Sequence, residues 1–207
     1  MISGYAAAIA ATVFWGFDTV VIRWLGHTNY ELVYRGRVFL LDAYYERVPR
    51  SHPIGIAPGD ITTAAAVFIG HPHFDHMADA ATVSWRTGAA VVGAAFAGEV
   101  LSKAGVPARQ FVPVKGGEVL EYPGVTVETV LGRHNVIATT VPEGFLEKQQ
   151  AALQAAALQE PYSAAEATQV EAIRARGSRD PAIATAGVIN YVFTLGNTFR
   201  LLFADSP

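Results

Sequence analysis

The sequence predicts a mixed α/β (α+β) fold in one domain of 207 residues. Three observations lead there. Short β-branched and apolar runs recur along the chain, two of them followed directly by helical texture. Glycine-centred turns join neighbouring runs into hairpins. The chain is 51% hydrophobic and 16% charged, which supplies a sizeable core.

"MISGYAAAIAATVFWGF" opens the chain and is apolar from residue 5 to 17, with no charge before Asp18. It is too short to span a membrane. It has the texture of a signal-peptide core without the preceding basic residues. Residues 1–17 therefore stand open between a processed secretory segment and a buried N-terminal element, and localisation between cytoplasmic and exported. No other segment approaches membrane-spanning length, so no stable span is expected.

"TVVIRWL" (19–25) reads as a strand. "NYELVY" (29–34) alternates, turns at "RGR" and returns as "VFLLDA" (38–43), a hairpin about Gly36. Residues 46–60, rich in proline and glycine, read as a loop. "AAAVFIG" (64–70) is a buried strand and "DHMADAATVSW" (75–85) a helix ending at "RTG". "AAVVG" (89–93) is a second buried strand, and "FAGEVLSKAG" (96–105) a helix stopped by Gly105. "EVLEYPGVTVETVLG" (118–132) gives two strands about Pro123-Gly124. Residues 145–180 form a helical insertion. "FLEKQQAALQAAALQE" has high helix propensity, and "PYSAAEATQVEAIRARG" carries a capping box at Ser163 and Glu166 and closes at Gly177. "GVINYVFTL" and "TFRLLFADSP" then pair about Gly196-Asn197.

The net charge is −3, so no basic field awaits a nucleic acid. The chain has no cysteine, which excludes disulfides, zinc ribbons and thiol nucleophiles. Any metal must be held by His, Asp or Glu, ligands that suit zinc, manganese, iron or nickel.

"HPHFDH" (71–76) holds three of the six histidines. His71 and His73 are two apart, so in extended backbone both imidazoles point to one side and reach one ion. Asp75 and His76 fall where the next helix begins and point elsewhere, toward a second ion. Two adjacent metals activate a water and polarise a carbonyl or phosphoryl oxygen. A polar loop rich in histidine by chance is the bland alternative.

H-x-H-x-D-H after an apolar strand resembles the signature of the metallo-β-lactamase-fold hydrolases. "IRWLGHTNYELVYRGRVFLLDAYY" resembles the opening of the ascorbate-6-phosphate lactonase-like branch, where a strand ends in W-x-G-H and the following hairpin ends in an aspartate. The resemblance covers roughly residues 19–140 and, more loosely, 185–207. It implies a four-layer αβ/βα sandwich of two similar halves, of which this sequence supplies an incomplete second half. It also implies two zinc ions. His71, His73 and His134 (in "VTVETVLGRHN") match the ligands of one. Asp75 and His76 match the other, with Asp75 also placed to orient the water and move its proton. Asp205 (in "FADSP") matches the bridging carboxylate. His27 and Asp42 match positions that orient the ligands. His52 reads as solvent-exposed.

In the pattern, further strands and a last ligand histidine follow the position of Asp205, and no histidine follows His134 here. The expectation is a piece of a longer reading frame, with a short natural form as the alternative. The function expected is a metal-dependent hydrolase acting with a metal-activated water on an ester, lactone, amide or phosphoester bond of a small molecule. A truncated or non-catalytic metal-binding member of the same fold is the other reading. Assembly as a homo-oligomer is left open. The insertion is expected as a lid or pocket wall. The W-x-G-H opening disfavours a true β-lactamase.

Overall fold

The computed structural model describes residues 11–15, 18–134, 160–197 and 199–205. It contains two sheets. The first has seven strands in sequence order: β1 (Ala11–Trp15), β2 (Asp18–Gly26), β3 (Asn29–Tyr34), β4 (Arg37–Leu41), β5 (Ala66–Phe68), β6 (Ala90–Ala94) and β7 (Phe111–Val114). β1 to β4 run antiparallel, and β4 to β7 run parallel. The second sheet is antiparallel, in the order β11 (Phe199–Phe203), β10 (Ile189–Leu195), β9 (Val125–Leu131), β8 (Val119–Tyr122).

The hairpin at "RGR" forms as its sequence predicts. Arg35 (φ 49°) and Gly36 (φ 72°) both take the left-handed region, as a two-residue turn matching strand twist requires. β5 is buried throughout, as a parallel strand covered on both faces must be. The helix expected over 75–85 is instead two: α1 (Phe74–Met77) and α2 (Ala80–Thr87). The break falls at Asp79, whose side chain accepts from the N–H groups of Tyr45 (2.7 Å) and Glu46 (2.8 Å). α2 stops at Gly88, φ 74°. α3 (Phe96–Lys103) follows β6. β7 was not expected. It carries Pro113, which an edge strand tolerates.

Of the insertion, residues 145–159 lie outside the described residues. The second helix forms as α4 (Ala164–Arg174), with the Ser163–Glu166 capping box in place. Arg50 holds its start, with Nε and Nη2 each donating to Glu166 at 2.8 Å. Ile173 packs on Tyr44 and Ala78, and the Ser178 N–H donates to the Pro72 carbonyl (2.7 Å). The insertion thus abuts the "HPHFDH" loop. A one-turn helix, α5 (Ile183–Ala186), escaped the sequence reading, as a single turn leaves too short a periodic signal.

The main core lies between the sheets, where Phe68 meets Tyr191 and Phe193 at 5.0 Å between ring centres, and Phe39 meets Tyr122 at 5.2 Å. The buried Tyr191 hydroxyl donates to the Ile69 carbonyl (2.8 Å), so its polar end is satisfied. A second core sits on the outer face of the first sheet, where Met77, Ala80, Val83, Ala97 and Leu101 cover Leu40, Val67, Ile69 and Val91. Helices, sheet and sheet make three layers among the described residues. No described helix covers the outer face of the second sheet, where Val130 and Leu202 are exposed. Among the described residues no helix is long and apolar enough to cross a membrane.

Candidate metal centre

The site lies where the carboxyl ends of β4 and β5 meet those of β9 and β11. Ends of parallel strands are the usual ligand-binding edge of such sheets. β5 delivers Gly70 and His71, and the chain stays extended to His73 (ψ 157°) before α1 begins. Asp42 follows β4, His134 follows β9, and Asp205 follows β11. Ile189 N–H donates to the Gly70 carbonyl (2.7 Å), which pins the sheets together here, and within the second sheet Asp205 N–H donates to Asn190 Oδ1 (3.0 Å). A Cβ on Gly70 would lie 2.0 Å from Asp205 Cγ, so only glycine leaves room for that carboxylate.

The structure brings His71, His73 and His134 together. Their ring centres are 4.6, 4.7 and 5.0 Å apart, and one ligand nitrogen from each lies within 4.8 Å of the others. A second group of His71, Asp75 and His76 meets the same criterion, as does a third of Asp42, His76 and Asp205. His71 and His76 are buried, whereas His73, Asp75 and His134 are half-buried at the mouth.

Asp42 and Asp205 face the ring nitrogens turned away from the mouth. Asp42 Oδ1 accepts from the Gly70 N–H (2.9 Å), and Oδ2 lies 2.7 Å from His76 Nδ1. Asp205 Oδ2 lies 2.5 Å from His71 Nδ1. Asp205 Oδ1 is 2.9 Å from His76 Nδ1, but the single Nδ1 proton aligns with Asp42, which leaves this buried oxygen without a hydrogen bond. Asp205 thus sits against two histidines, with one lone carboxylate oxygen. His27 joins the edge of the site: its Nε2 is 3.9 Å from Asp75 Oδ2, and its ring meets those of Tyr44 and His76 edge-on at 5.5 and 5.8 Å. His52 is exposed on the loop, as expected.

Burial, reinforced by His71 and His134, pulls His73 down to about 4, so this imidazole is neutral near pH 7. Burial also disfavours charge on His76, but Asp42 and Asp205 outweigh it and push His76 up to about 11. Asp205 responds in kind. Burial works to raise it, and the adjacent imidazoles of His71 and His76 hold it well below the usual carboxylate range. Burial raises Asp42 despite His76.

The donor set fits a divalent ion. Three imidazoles, of His71, His73 and His134, converge, His71 and the neighbouring His76 are backed by carboxylates as metal-ligating histidines usually are, and a buried carboxylate oxygen stands without a partner. Nitrogen and carboxylate donors suit zinc, manganese, iron and nickel alike.

Three supporting residues escaped the sequence reading. Asn29, fully buried, donates to the carbonyls of Gly26 (2.9 Å) and Tyr44 (2.7 Å) and accepts from the Tyr44 N–H (2.8 Å), tying the β2–β3 turn to the loop after β4. Asp79 holds that loop from the helix side and pairs with Arg176 Nη1 (3.0 Å). Arg47 lies over the Tyr44 ring, 4.5 Å from its centre. Asp79 carried a signal in being a lone charge inside an alanine-rich run. Asn29 and Arg47 carried none beyond a turn and a loop.

No family model matches the chain. Among curated proteins, it is 30% identical to a UPF0173 metal-dependent hydrolase of Pyrobaculum neutrophilum over 129 residues, 60% of this chain and 55% of that one. It is 30% identical to one of Herpetosiphon aurantiacus over 115 residues, 55% of this chain and 47% of that one. The chain spans about half the length of the curated relatives it matches. Among solved structures, a protein of Parabacteroides distasonis provisionally named a metal-dependent hydrolase superposes with a TM-score of 0.59 at 13% identity, covering 96% of this chain and 66% of that one. Igni18, a metallo hydrolase of Ignicoccus hospitalis, superposes at 0.54 and 16%, covering 89% and 60%. Those structures speak to the fold, and the curated relatives to the sequence. With two facing sheets and the strand-delivered H-x-H-x-D-H loop, the chain shares the fold of those two solved structures, and its sequence is similar to the UPF0173 metal-dependent hydrolases.

Proposed function

We propose that the chain carries the metal centre of a hydrolase that uses water to cleave an ester, lactone or phosphoester bond in a small molecule. The observation behind this reading is the adjacency of two donor groups, His71/His73/His134 and His71/Asp75/His76, at one mouth between the sheets. His71, His73 and His134 would hold one divalent ion, for which we favour zinc, and Asp75 and His76 would begin the site of a second. An ion held there supplies Lewis acidity toward the carbonyl or phosphoryl oxygen and lowers the pKa of a nearby water.

The chain's own residues divide the remaining work. Asp42 and Asp205 fix the tautomers and directions of His76 and His71 by taking their Nδ1 atoms, which leaves each Nε2 for the mouth. Asp75, half-buried with Oδ2 4.0 Å from His76 Nε2, is placed to orient a water and accept its proton. His27 stands on the other side of Asp75, its Nε2 3.9 Å from Oδ2. The W-x-G-H turn that brings His27 to this position supports a lactonase-like substrate. The net charge of −3 argues against a nucleic acid partner.

A second reading, a metal-binding protein without turnover, has one observation in its favour. Among the described residues, the Asp75/His76 group reaches three donors only by sharing His71. Metal-loaded protein assayed against aryl esters, lactones and phosphodiesters separates the two. The hydrolase reading expects turnover that Asp75→Ala lowers by about a hundredfold or more while the ion at His71, His73 and His134 stays bound. Turnover unchanged in Asp75→Ala refutes the mechanism. Stoichiometric metal without turnover of any of the three classes favours the second reading.

A further inference from the structure

Beside the metal centre, a groove of about 460 Å³ runs between the β2–β3 turn and the loop after β4. Trp24, Leu25, Ile54 and Ile56 give it apolar walls, and His27 stands at the end next to Asp75. Two arginines line it. Arg23 is answered by Glu31 at 3.2 Å. Arg47 has no carboxylate partner among the described residues, and its Nε is buried without an acceptor. No acidic residue lines the groove. Asp79 is engaged with Arg176 and two backbone amides, and Asp75 stands 3.9 and 4.0 Å from His27 and His76. Tyr44 holds the Arg47 guanidinium from below at 4.5 Å, and the same ring touches His27. An arginine fork held on an aromatic face, with no carboxylate paired to it and its Nε unanswered, is suited to receive a planar or tetrahedral oxyanion.

We propose that this groove is the substrate's anion subsite, in which Arg47 binds a carboxylate or phosphate carried by the substrate while Trp24, Ile54 and Ile56 pack its apolar body. This deepens the hydrolase reading, on which it rests for the chemistry, by naming what lies beyond the scissile bond. Arg47 is a binding residue and takes no part in proton transfer. A half-buried cation without a charged partner is partly desolvated, and an incoming oxyanion offsets that cost, which makes the subsite selective for charged over neutral substrates.

The test is calorimetric titration of metal-loaded protein with phenylacetate and with phenyl phosphate, on wild type, Arg47→Gln, Arg47→Lys and Arg109→Gln. Arg109 is exposed and lies outside the groove, so its variant controls for net charge. The expected result is affinity at least about tenfold weaker in Arg47→Gln, intermediate in Arg47→Lys and unchanged in Arg109→Gln. The probe that binds tighter names the oxyanion. If Arg47→Gln folds poorly, the Nε–H resonance of Arg47 in the wild-type protein should shift saturably with either probe. Equal affinity in wild type and a folded Arg47→Gln, an unmoved resonance, or no binding of either probe overturns the proposal. The binding pattern without ester turnover would leave the subsite standing and remove the hydrolase reading. Turnover of neutral esters with probe affinity indifferent to Arg47 would do the reverse.

Discussion

His76 Nδ1 lies 2.7 Å from Asp42 Oδ2, and the other oxygen of Asp42 accepts the Gly70 N–H at 2.9 Å. One carboxylate at the end of β4 thus sets both the direction of a candidate ligand and the backbone that leads to the next. Asp42→Asn keeps the shape and removes the charge. It should weaken metal binding by about 10- to 100-fold, read by competition with a chromogenic chelator.

Gly70 is fixed by its neighbour. A methyl group there would overlap Asp205, whose carboxylate occupies the space. Gly70→Ala should therefore displace Asp205 from His71 and His76 and lower metal affinity at least as much as Asp205→Asn. A Gly70→Ala protein with wild-type affinity would show that the close approach of Asp205 has no part in the site.

Asp79 ties α2 to the loop after β4 through two backbone amides and to the insertion through Arg176. Its removal leaves buried donors unanswered. Asp79→Ala should lose about 3 kcal/mol of stability in urea unfolding. Arg176 is partly exposed and is shared with Glu46 at 2.8 Å, so Arg176→Ala should lose less, about 1 kcal/mol.

The histidines give the metal-free protein a defined pH profile. His73 falls to about 4 in the fold, below its ordinary 6.5, so the unfolded chain binds the extra proton between these values and stability rises with pH across that window. His76 rises to about 11, above its ordinary 6.5. Its contribution is fully present below 6.5 and is lost as pH climbs toward 11. Melting temperature after chelation should therefore peak near pH 6.5 and fall on the alkaline side. The alkaline fall should vanish in His76→Gln, and its survival there would assign it to another group.

Much of this was legible in the sequence because it is local. The strand–loop–helix order around "HPHFDH" follows from hydrophobic runs and a glycine, and i, i+2 spacing alone turns His71 and His73 the same way. His134 and Asp205 were reachable only through the family pattern, since nothing in "GRHN" or "FADSP" states which strands will meet. Asp79 and Asn29 stabilise by hydrogen bonds to backbone groups 34 and 15 residues away, a relationship that periodicity does not encode. The break between α1 and α2 was hidden for the same reason. The run has helical texture, and the amides that draw Asp79 out of it lie on another segment. Arg47 sits in a proline-rich loop, and nothing local states that the fold lays it on Tyr44.

Metal content per chain, measured on wild type and on His71→Ala after removal of loosely bound ions, tests the central claim most directly. His71 belongs to both donor groups at the mouth. The account predicts at least one tightly held ion per wild-type chain and a marked loss in His71→Ala, with the variant still folded by circular dichroism. No metal in either protein, or equal metal in both, would contradict it.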